Sequence, residues 1–158
     1  MEPRTHAESV TISRSADELY DLVSDVTRSG EWSPICTACW WDEGAALDGR
    51  PQVGDWFTGR NETPERTWET RSLVVTADRG REFAFVVGGS FVRWAYAFGA
   101  TPEGTRLTES WEFLPEGIAM FHAKYGDDAE AQIAERTQAA LHGIPATLAA
   151  IKRIAESG

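Results

Sequence analysis

The amino-acid sequence predicts an α+β fold in which a curved antiparallel β-sheet wraps around one long C-terminal helix. From 127 to 157, apolar residues recur at spacings of three, four and seven, as in a helix that buries one face. At ~1.5 Å per residue this helix would be roughly 45 Å long and would need a broad apolar surface to lie on. The chain before it supplies that surface, because short segments of alternating apolar and polar residues are separated by turn residues.

The predicted C-terminal helix contains one proline. Its apolar face comprises Ile133, Ala140, Leu141, Ile144, Leu148, Ile151 and Ile154. Pro145 removes one backbone donor and crowds the preceding turn, which predicts a kink near Gly143–Pro145. The alternative is a helix that ends at His142 and begins again after the proline.

Local signals place the remaining elements. Ser15 and Glu18 have the spacing of a capping box, which predicts a short helix from there to Val23. A second short helix is expected over 25–32 and ends before Pro34. Strands are predicted at 7–13, 36–43, 54–62, 66–77, 81–87, 91–100 and 105–114, and an irregular or briefly helical segment at 115–125. The short turns from 66 onward make those strands antiparallel neighbours.

The period-two pattern of the last two strands decides which side chains share a face. The better buried face of strand 91–100 carries Val92, Trp94, Tyr96 and Phe98. One face of strand 105–114 carries Leu107, Glu109, Trp111 and Phe113. A carboxylate at 109 is therefore expected among apolar side chains.

The size and charge of the chain argue against several classes of partner. At 158 residues the chain fits one domain over 1–158. Its formal net charge of −10 disfavours nucleic acid and anionic lipid, because phosphate groups repel it. No apolar run approaches the ~20 residues of a membrane span, and the N-terminus shows no apolar signal core. A cytoplasmic protein without a membrane partner, either a monomer or a homodimer, is expected.

Cys36 and Cys39 form a lone C-x-x-C motif. The pair is expected in a strand, whereas redox pairs of this type sit at the N-terminus of a helix. Residues three apart on a regular strand point to opposite faces and lie ~10 Å apart, beyond the reach of a disulfide. No second C-x-x-C and no His pair completes a zinc site. We therefore expect neither a redox role nor a metal site.

A series of short motifs carries a family resemblance. In chain order they are Glu31-Trp32-Ser33-Pro34, Gly54-x-x-Phe57-x-Gly59-x-Asn61, Trp68, Phe83-Ala84-Phe85, Trp94-x-Tyr96-x-Phe98, Gly104-Thr105-Arg106-Leu107-Thr108-Glu109-Ser110-Trp111 and Thr147-Leu148. With the predicted element order, they make about residues 5–156 resemble the START-like helix-grip superfamily (SRPBCC), and within it the polyketide cyclase/dehydrase-like branch. Two positions depart from the pattern: Ile35 stands where a polar residue is expected, and Pro145 interrupts the helix.

The resemblance implies a deep cavity between the sheet and the long helix, used for a hydrophobic or aromatic small molecule. Aromatic walls suit a flat polycyclic ligand, because rings stack with an offset and Trp N–H and Tyr O–H groups add polar contacts. The residues expected to bind the ligand are Trp32, Trp41, Phe57, Trp68, Phe85, Trp94, Tyr96, Trp111, Phe113, His122, Ile144 and Leu148. The alternative is that the rings fill the core themselves. His122 is a candidate lid residue, with a plain surface position as its alternative.

Glu109 is the sharpest single candidate for chemistry. A carboxylate on an apolar face loses hydration, which raises its pKa and suits it to act as a general acid or base. Asn61 lies in another motif strand and is expected to reach it, as a second candidate catalytic residue. The alternative is a structural Glu that is satisfied by Asn61, a Trp N–H or a buried water. No cofactor and no metal are expected.

Three functions fit this sequence. The first is a binding protein for an aromatic, polyketide-like molecule, acting as a carrier, sequestering or self-resistance protein of natural-product metabolism. The second is a polyketide cyclase or aromatase in which Glu109 moves a proton and Asn61 or Tyr96 polarises a carbonyl. The third is a protein-interaction module with a vestigial cavity. The small number of acid and base groups places binding ahead of catalysis.

Overall fold

Seven strands form one sheet in the computed structural model, which describes residues 4–157. In chain order they are β1 (Thr5–Ile12), β2 (Cys36–Trp41), β3 (Trp56–Thr63), β4 (Arg66–Asp78), β5 (Glu82–Val87), β6 (Val92–Thr101) and β7 (Gly104–Phe113). Their spatial order is β1-β7-β6-β5-β4-β3-β2, and each neighbouring pair is antiparallel. The predicted α+β fold and its seven strands are confirmed.

Three α-helices accompany the sheet in the described part of the chain: α1 (Ala16–Val23), α2 (Pro115–Tyr125) and α3 (Ala129–Ser157). The capping box at the start of α1 is confirmed, because the Ser15 hydroxyl accepts a hydrogen bond from the Glu18 backbone N–H at 3.1 Å. A 3₁₀ helix at Val26–Glu31 follows, where the second short helix was expected. Of the irregular or briefly helical segment expected over 115–125, the helical alternative is confirmed: Pro115, at the first helical turn, starts a helix of 11 residues there. None of the helices within residues 4–157 is long and apolar enough to cross a membrane.

Helix α3 continues through Pro145, which occupies an exposed position on its outer side. The alternative of a helix that ends at His142 is therefore wrong, while the kink near Gly143–Pro145 stays a prediction. The apolar face is buried at Ile133, Ala140, Ile144, Leu148 and Ile151, and half-buried at Leu141 and Ile154. Thr137 is also buried on this face, and its hydroxyl donates to the Ile133 carbonyl oxygen at 2.8 Å.

The pairing of the strands sets which side chains point toward the helix. Tyr96 on β6 lies opposite Glu109 on β7 and Phe83 on β5, so these three residues share the inner face. The same alternation confirms the predicted inner faces of β6 and β7. Phe98, Leu107, Trp111 and Phe113 are each at most 8% exposed.

Helix α3 does not lie over the centre of the sheet. Among the strands its closest backbone contacts are with β1 and β7, at one side of the sheet. Helix α1 packs against β5 and β6, and the 3₁₀ helix at Val26–Glu31 packs against β2. The inner face of the remaining strands is therefore covered mainly by side chains rather than by a helix backbone.

The expected geometry of the two cysteines is wrong. The register between β2 and β3 shifts between Cys36 and Ala38, which marks a β-bulge on the edge strand β2. The extra residue restores both cysteines to one face, so the Sγ atoms of Cys36 and Cys39 lie 3.2 Å apart instead of on opposite sides.

Truncation of the α3 face tests how strongly the helix holds the fold. Ile151→Ala removes a side chain that is 0% exposed and should lower the free energy of unfolding by about 2–5 kcal/mol, because it leaves a cavity. Ile154→Ala, on the same helix at a half-buried position, is the matched control and should cost ~1 kcal/mol. Urea denaturation followed by circular dichroism measures both. Equal losses would contradict the assignment of the buried face.

Candidate functional site

Glu109 lies in the middle of the inner face and is only 3% exposed. Its carboxylate faces Tyr96 on the neighbouring strand, and the Tyr96 hydroxyl donates a hydrogen bond to Glu109 Oε2 at 3.0 Å. The second oxygen, Oε1, is buried and has no hydrogen-bond partner within the described residues. An unpaired polar atom in an apolar wall is costly, which makes this oxygen a natural contact for a polar atom of a ligand.

The burial of Glu109 changes its acid strength. Loss of hydration raises the pKa of the Glu109 carboxyl from an ordinary 4.5 to about 8, against the opposing effect of the Tyr96 hydrogen bond. Burial and the neighbouring Glu109 charge hold the pKa of Tyr96 well above its ordinary range. Glu109 can therefore gain or lose a proton near neutral pH, while Tyr96 acts only as a hydrogen-bond donor or acceptor.

The inner face is closed at one end and open at the other. Phe83 is 0% exposed and Phe98 is 8% exposed, so the end near them is filled. Phe85, Trp94 and Trp41 also point inward, yet each is only half-buried. Inward aromatic side chains that solvent still reaches indicate that the space between sheet and helices is open at this end.

The rings at the open end pack on one another as well as lining it. Phe57 contacts Trp41 and Phe85 with ring centroids 5.5 and 5.0 Å apart, both edge-on. Phe113 contacts Phe121 of α2 at 5.2 Å in the same way. These contacts fix the rings in place, so the wall they form is rigid rather than collapsible.

A cationic rim borders this wall and was not foreseen from the sequence. The Arg66 guanidinium lies 4.1 Å from the ring centroid of Trp68, and the Arg136 guanidinium of α3 lies 5.5 Å from the same ring. Arg136 also lies 5.5 Å from Phe121. Glu135 partly balances the charge, with carboxylate contacts of 3.1 Å to Arg136 and 4.0 Å to Arg66. Only the tertiary fold brings these residues together.

Several predicted site residues lie apart from Glu109. The hydrogen bond expected from Asn61 to Glu109 is wrong: the Asn61 amide donates to Thr70 Oγ1 at 3.4 Å. His122 is exposed and contacts Glu130 at 3.2 Å, which fits its surface alternative. Seven of the predicted ligand-binding residues are buried in the core: Trp32, Phe57, Tyr96, Trp111, Phe113, Ile144 and Leu148.

Two grooves on the surface are distinct from this site. A groove of about 470 Å³ runs between β1 and α3, and includes Val10, Leu148 and Lys152. A second of about 220 Å³ lies beside His6 and Arg93. Neither is lined by Glu109 or Tyr96, so both grooves lie apart from the inner-face site.

The raised pKa of Glu109 makes stability depend on pH. The folded protein keeps the proton to a higher pH than the unfolded chain, so the stabilisation is complete below about pH 4.5 and is lost as pH rises through about 8. Wild type should lose up to ~1.4 kcal/mol per pH unit in this window relative to Glu109→Gln. Urea denaturation across the window measures the difference, with Glu112→Gln on the exposed face of β7 as control. A constant difference would contradict the shifted pKa.

Removal of the Tyr96 hydroxyl tests the pair directly. Tyr96→Phe takes away a hydrogen bond that favours the charged carboxylate, so the pKa of Glu109 should rise further. Titration of the side-chain carboxyl by ¹³C NMR measures it. Tyr125→Phe, in α2, is the control and should leave the titration unchanged. An unchanged or lowered pKa in Tyr96→Phe would show that the hydroxyl does not donate to Glu109.

Comparison with known proteins agrees with this fold. A family model described as polyketide cyclase / dehydrase and lipid transport matches residues 4–149. The solution structure of the Polyketide_cyc-like protein Cgl2372 from Corynebacterium glutamicum is 51% identical, with a TM-score of 0.70, over 96% of this chain and 91% of that one. A search of curated proteins found no match.

Two more distant solved structures show the fold alone. The di-domain ARO/CYC StfQ from the steffimycin biosynthetic pathway is 16% identical, with a TM-score of 0.66, over 98% of this chain and 51% of that one. The crystal structure of Ara h 8.0201 is 17% identical, with a TM-score of 0.62, over 98% of both chains. Taken with the match over residues 4–149, they show a helix-grip fold, and the chain belongs to the polyketide cyclase / dehydrase and lipid transport family.

Proposed function

We propose that the protein binds a hydrophobic, aromatic small molecule of polyketide type between the sheet and α3, as a carrier, sequestering or self-resistance protein. The observation that carries this proposal is the partial exposure of inward-facing rings, above all Trp94 and Phe85 in the middle strands. A core that filled itself would bury these rings completely. Large rings with one accessible face offer offset stacking to a flat ligand.

The polar inner groups give such a ligand an orientation. Glu109 Oε1 has no partner among residues 4–157, and Tyr96 holds the other oxygen in place. When protonated, the carboxyl donates to a ligand carbonyl; when ionised, it accepts from a ligand hydroxyl. Phenols and ketones, the oxygen groups of aromatic polyketides, match both states. The rings of the open end are apolar, so this polar contact contributes strongly to specificity.

A second candidate function is catalysis of the cyclase or aromatase type. The observation that favours it is the pKa of Glu109 at about 8, which lets the group accept and return protons near neutral pH. The structural neighbour StfQ is described as an ARO/CYC, although at 16% identity it supports only the fold. Binding ranks first because Asn61, the expected second catalytic residue, hydrogen-bonds Thr70 instead of Glu109, so Glu109 would have to transfer protons without it.

Titration of intrinsic tryptophan fluorescence with a panel of aromatic polyketides tests the proposal. Wild type should show saturable quenching, since Trp94 borders the open end. Trp94→Leu should weaken binding about tenfold, because one stacking partner worth ~1 kcal/mol and some apolar contact are lost. The matched control is Trp40→Leu, on the outer face of β2 and 41% exposed, which should bind like wild type. Equal weakening in both variants would contradict the assigned wall.

Mass spectrometry of each mixture separates binding from turnover. Unchanged compound selects the binding protein, whereas a new product that disappears in Glu109→Gln, with quenching retained, selects the enzyme. Glu112→Gln controls for the loss of a charge on the same strand. Absence of quenching by every compound would contradict both candidates and favour a protein-interaction module.

A further inference from the structure

The two cysteines of the chain sit side by side on the inner face of the sheet. The chain holds two cysteines in all, and their Sγ atoms are 3.2 Å apart. The β-bulge between Cys36 and Ala38 produces this arrangement, because an unbulged strand would turn one thiol to the outer face. In β3, Asn61 lies opposite Cys36 and Gly59 opposite Cys39, both on the inner side.

The neighbouring backbone leaves room for both sulfur atoms. A Cβ atom at Gly59 would lie 3.2 Å from Cys39 Sγ and 3.7 Å from Cys36 Sγ, so a larger residue would press on the pair. The 3₁₀ helix packs on the other side, where a Cβ at Gly30 would come within 2.7 Å of the Thr37 carbonyl oxygen. Ser29 from the same helix hydrogen-bonds Cys39. Gly59 of β3 therefore borders the pair, and the 3₁₀ helix packs against the bulged residue between the two cysteines.

The two thiols are chemically unequal. The hydrogen bond from Cys39 lowers the pKa of Cys36, whereas the same bond and burial raise the pKa of Cys39 far above its ordinary range. Cys36 is therefore the thiol that ionises more readily and attacks a disulfide first. Cys39 is the resolving thiol, which then attacks the mixed disulfide on Cys36. Both side chains are half-buried, so part of each remains accessible to a small reagent.

The pair lies on the same inner face of the sheet as Glu109 and Tyr96, as the strand register shows. Oxidation would replace two thiols, one of which ionises more readily, by an uncharged disulfide. The charge and the polarity of the interior would change as a result.

We propose that Cys36 and Cys39 form a reversible dithiol–disulfide site on the inner wall of the sheet, which exchanges with low-molecular-weight disulfides. The Cys36 thiolate attacks one sulfur of the reagent disulfide, forms a mixed disulfide and releases one thiolate. Cys39 then loses its proton and attacks Cys36 Sγ, which forms the protein disulfide and releases the second thiolate. The protein dithiol is oxidised and the reagent disulfide is reduced to two thiols, so electrons and protons balance.

Closure of this disulfide needs little movement. The sulfur atoms must approach from 3.2 Å to the ~2.05 Å of a disulfide, which is roughly 1 Å and within the range of side-chain rotation. This dithiol site does not depend on the proposed ligand, because the bulge of β2 and the neighbouring strand β3 bring the two thiols together.

Oxidised glutathione is the probe that tests the proposal. Reduced wild-type protein, incubated with it under native conditions, should lose the mass of two hydrogens and retain no glutathione, and peptide mapping should place the bond between Cys36 and Cys39. Cys39→Ser should stop at the mixed disulfide and keep one glutathione. Cys36→Ser should react at least ~tenfold more slowly, because the remaining thiol is the less ionised one. Circular dichroism confirms that each variant is folded.

A comparison of the wild-type protein in native buffer and in urea needs no variant. In a buffer of reduced and oxidised glutathione, the equilibrium constant for disulfide formation should be at least ~tenfold larger in the folded protein, because the fold holds the thiols together. An equal or smaller constant in the folded state would overturn the proposal. A stable glutathione adduct on native wild type, or equal rates for the two single-cysteine variants, would overturn it as well.

Discussion

One helix cannot cover the inner face of a seven-stranded sheet, and much of this structure follows from that mismatch. A helix with its side chains is ~10–12 Å wide, whereas seven strands spaced ~4.8 Å apart span roughly 29 Å. Curvature of the sheet narrows the gap but does not close it. Here α3 lies toward β1 and β7, so the inward side chains of the other strands depend on α1, α2 and one another for cover. The large rings of β3, β5 and β6 fill part of that space and leave an open end.

The incomplete cover of the sheet by α3 also explains why a carboxylate can occupy the interior. Glu109 sits where the cover changes from tightly packed aliphatic side chains to partly exposed rings. Complete burial with no hydrogen-bond partner would cost several kcal/mol, and complete exposure would leave the pKa of Glu109 at its ordinary value. One hydrogen bond from Tyr96 and a nearby opening place it between these limits. A buried proton-carrying group next to an accessible apolar wall can serve either recognition or proton transfer, which is why the two candidate functions share one residue.

Most of the fold could be predicted from the sequence because its signals are local. Alternation along single strands, the Ser15–Glu18 capping box and the stripe of α3 each lie within one element. A site residue was predictable only where the alternation of a single strand determines the direction of its side chain, as for Glu109, which points inward. Its partner was missed because hydrogen bonds between strands depend on register: Asn61 was expected, but β6 places Tyr96 opposite Glu109.

The bulge in β2 and the Arg66–Trp68–Arg136 cluster show where local reasoning stops. A bulge shifts the period of alternation by one residue, and no residue type in 36–39 reveals it. Arg136 of α3 reaches Trp68 of β4 only in the folded chain, as a contact between distant parts of the sequence. Both features depend on how the strands and helices assemble, so the residue pattern within one element does not predict them.

The two edges of the sheet are the places where its backbone could pair with another chain. An edge strand exposes unpaired backbone groups that can template pairing with another chain. On β1, the Lys152 ammonium of α3 donates to the Thr11 carbonyl oxygen at 2.6 Å, and Glu156 accepts from the Ser13 N–H just beyond the strand at 2.9 Å. On β2, the bulge that unites the thiols also breaks the regular spacing that an incoming strand would need. Each edge is therefore a poor template for aggregation. Charged side chains of α3 cover part of the β1 edge, and the backbone of the β2 edge is irregular.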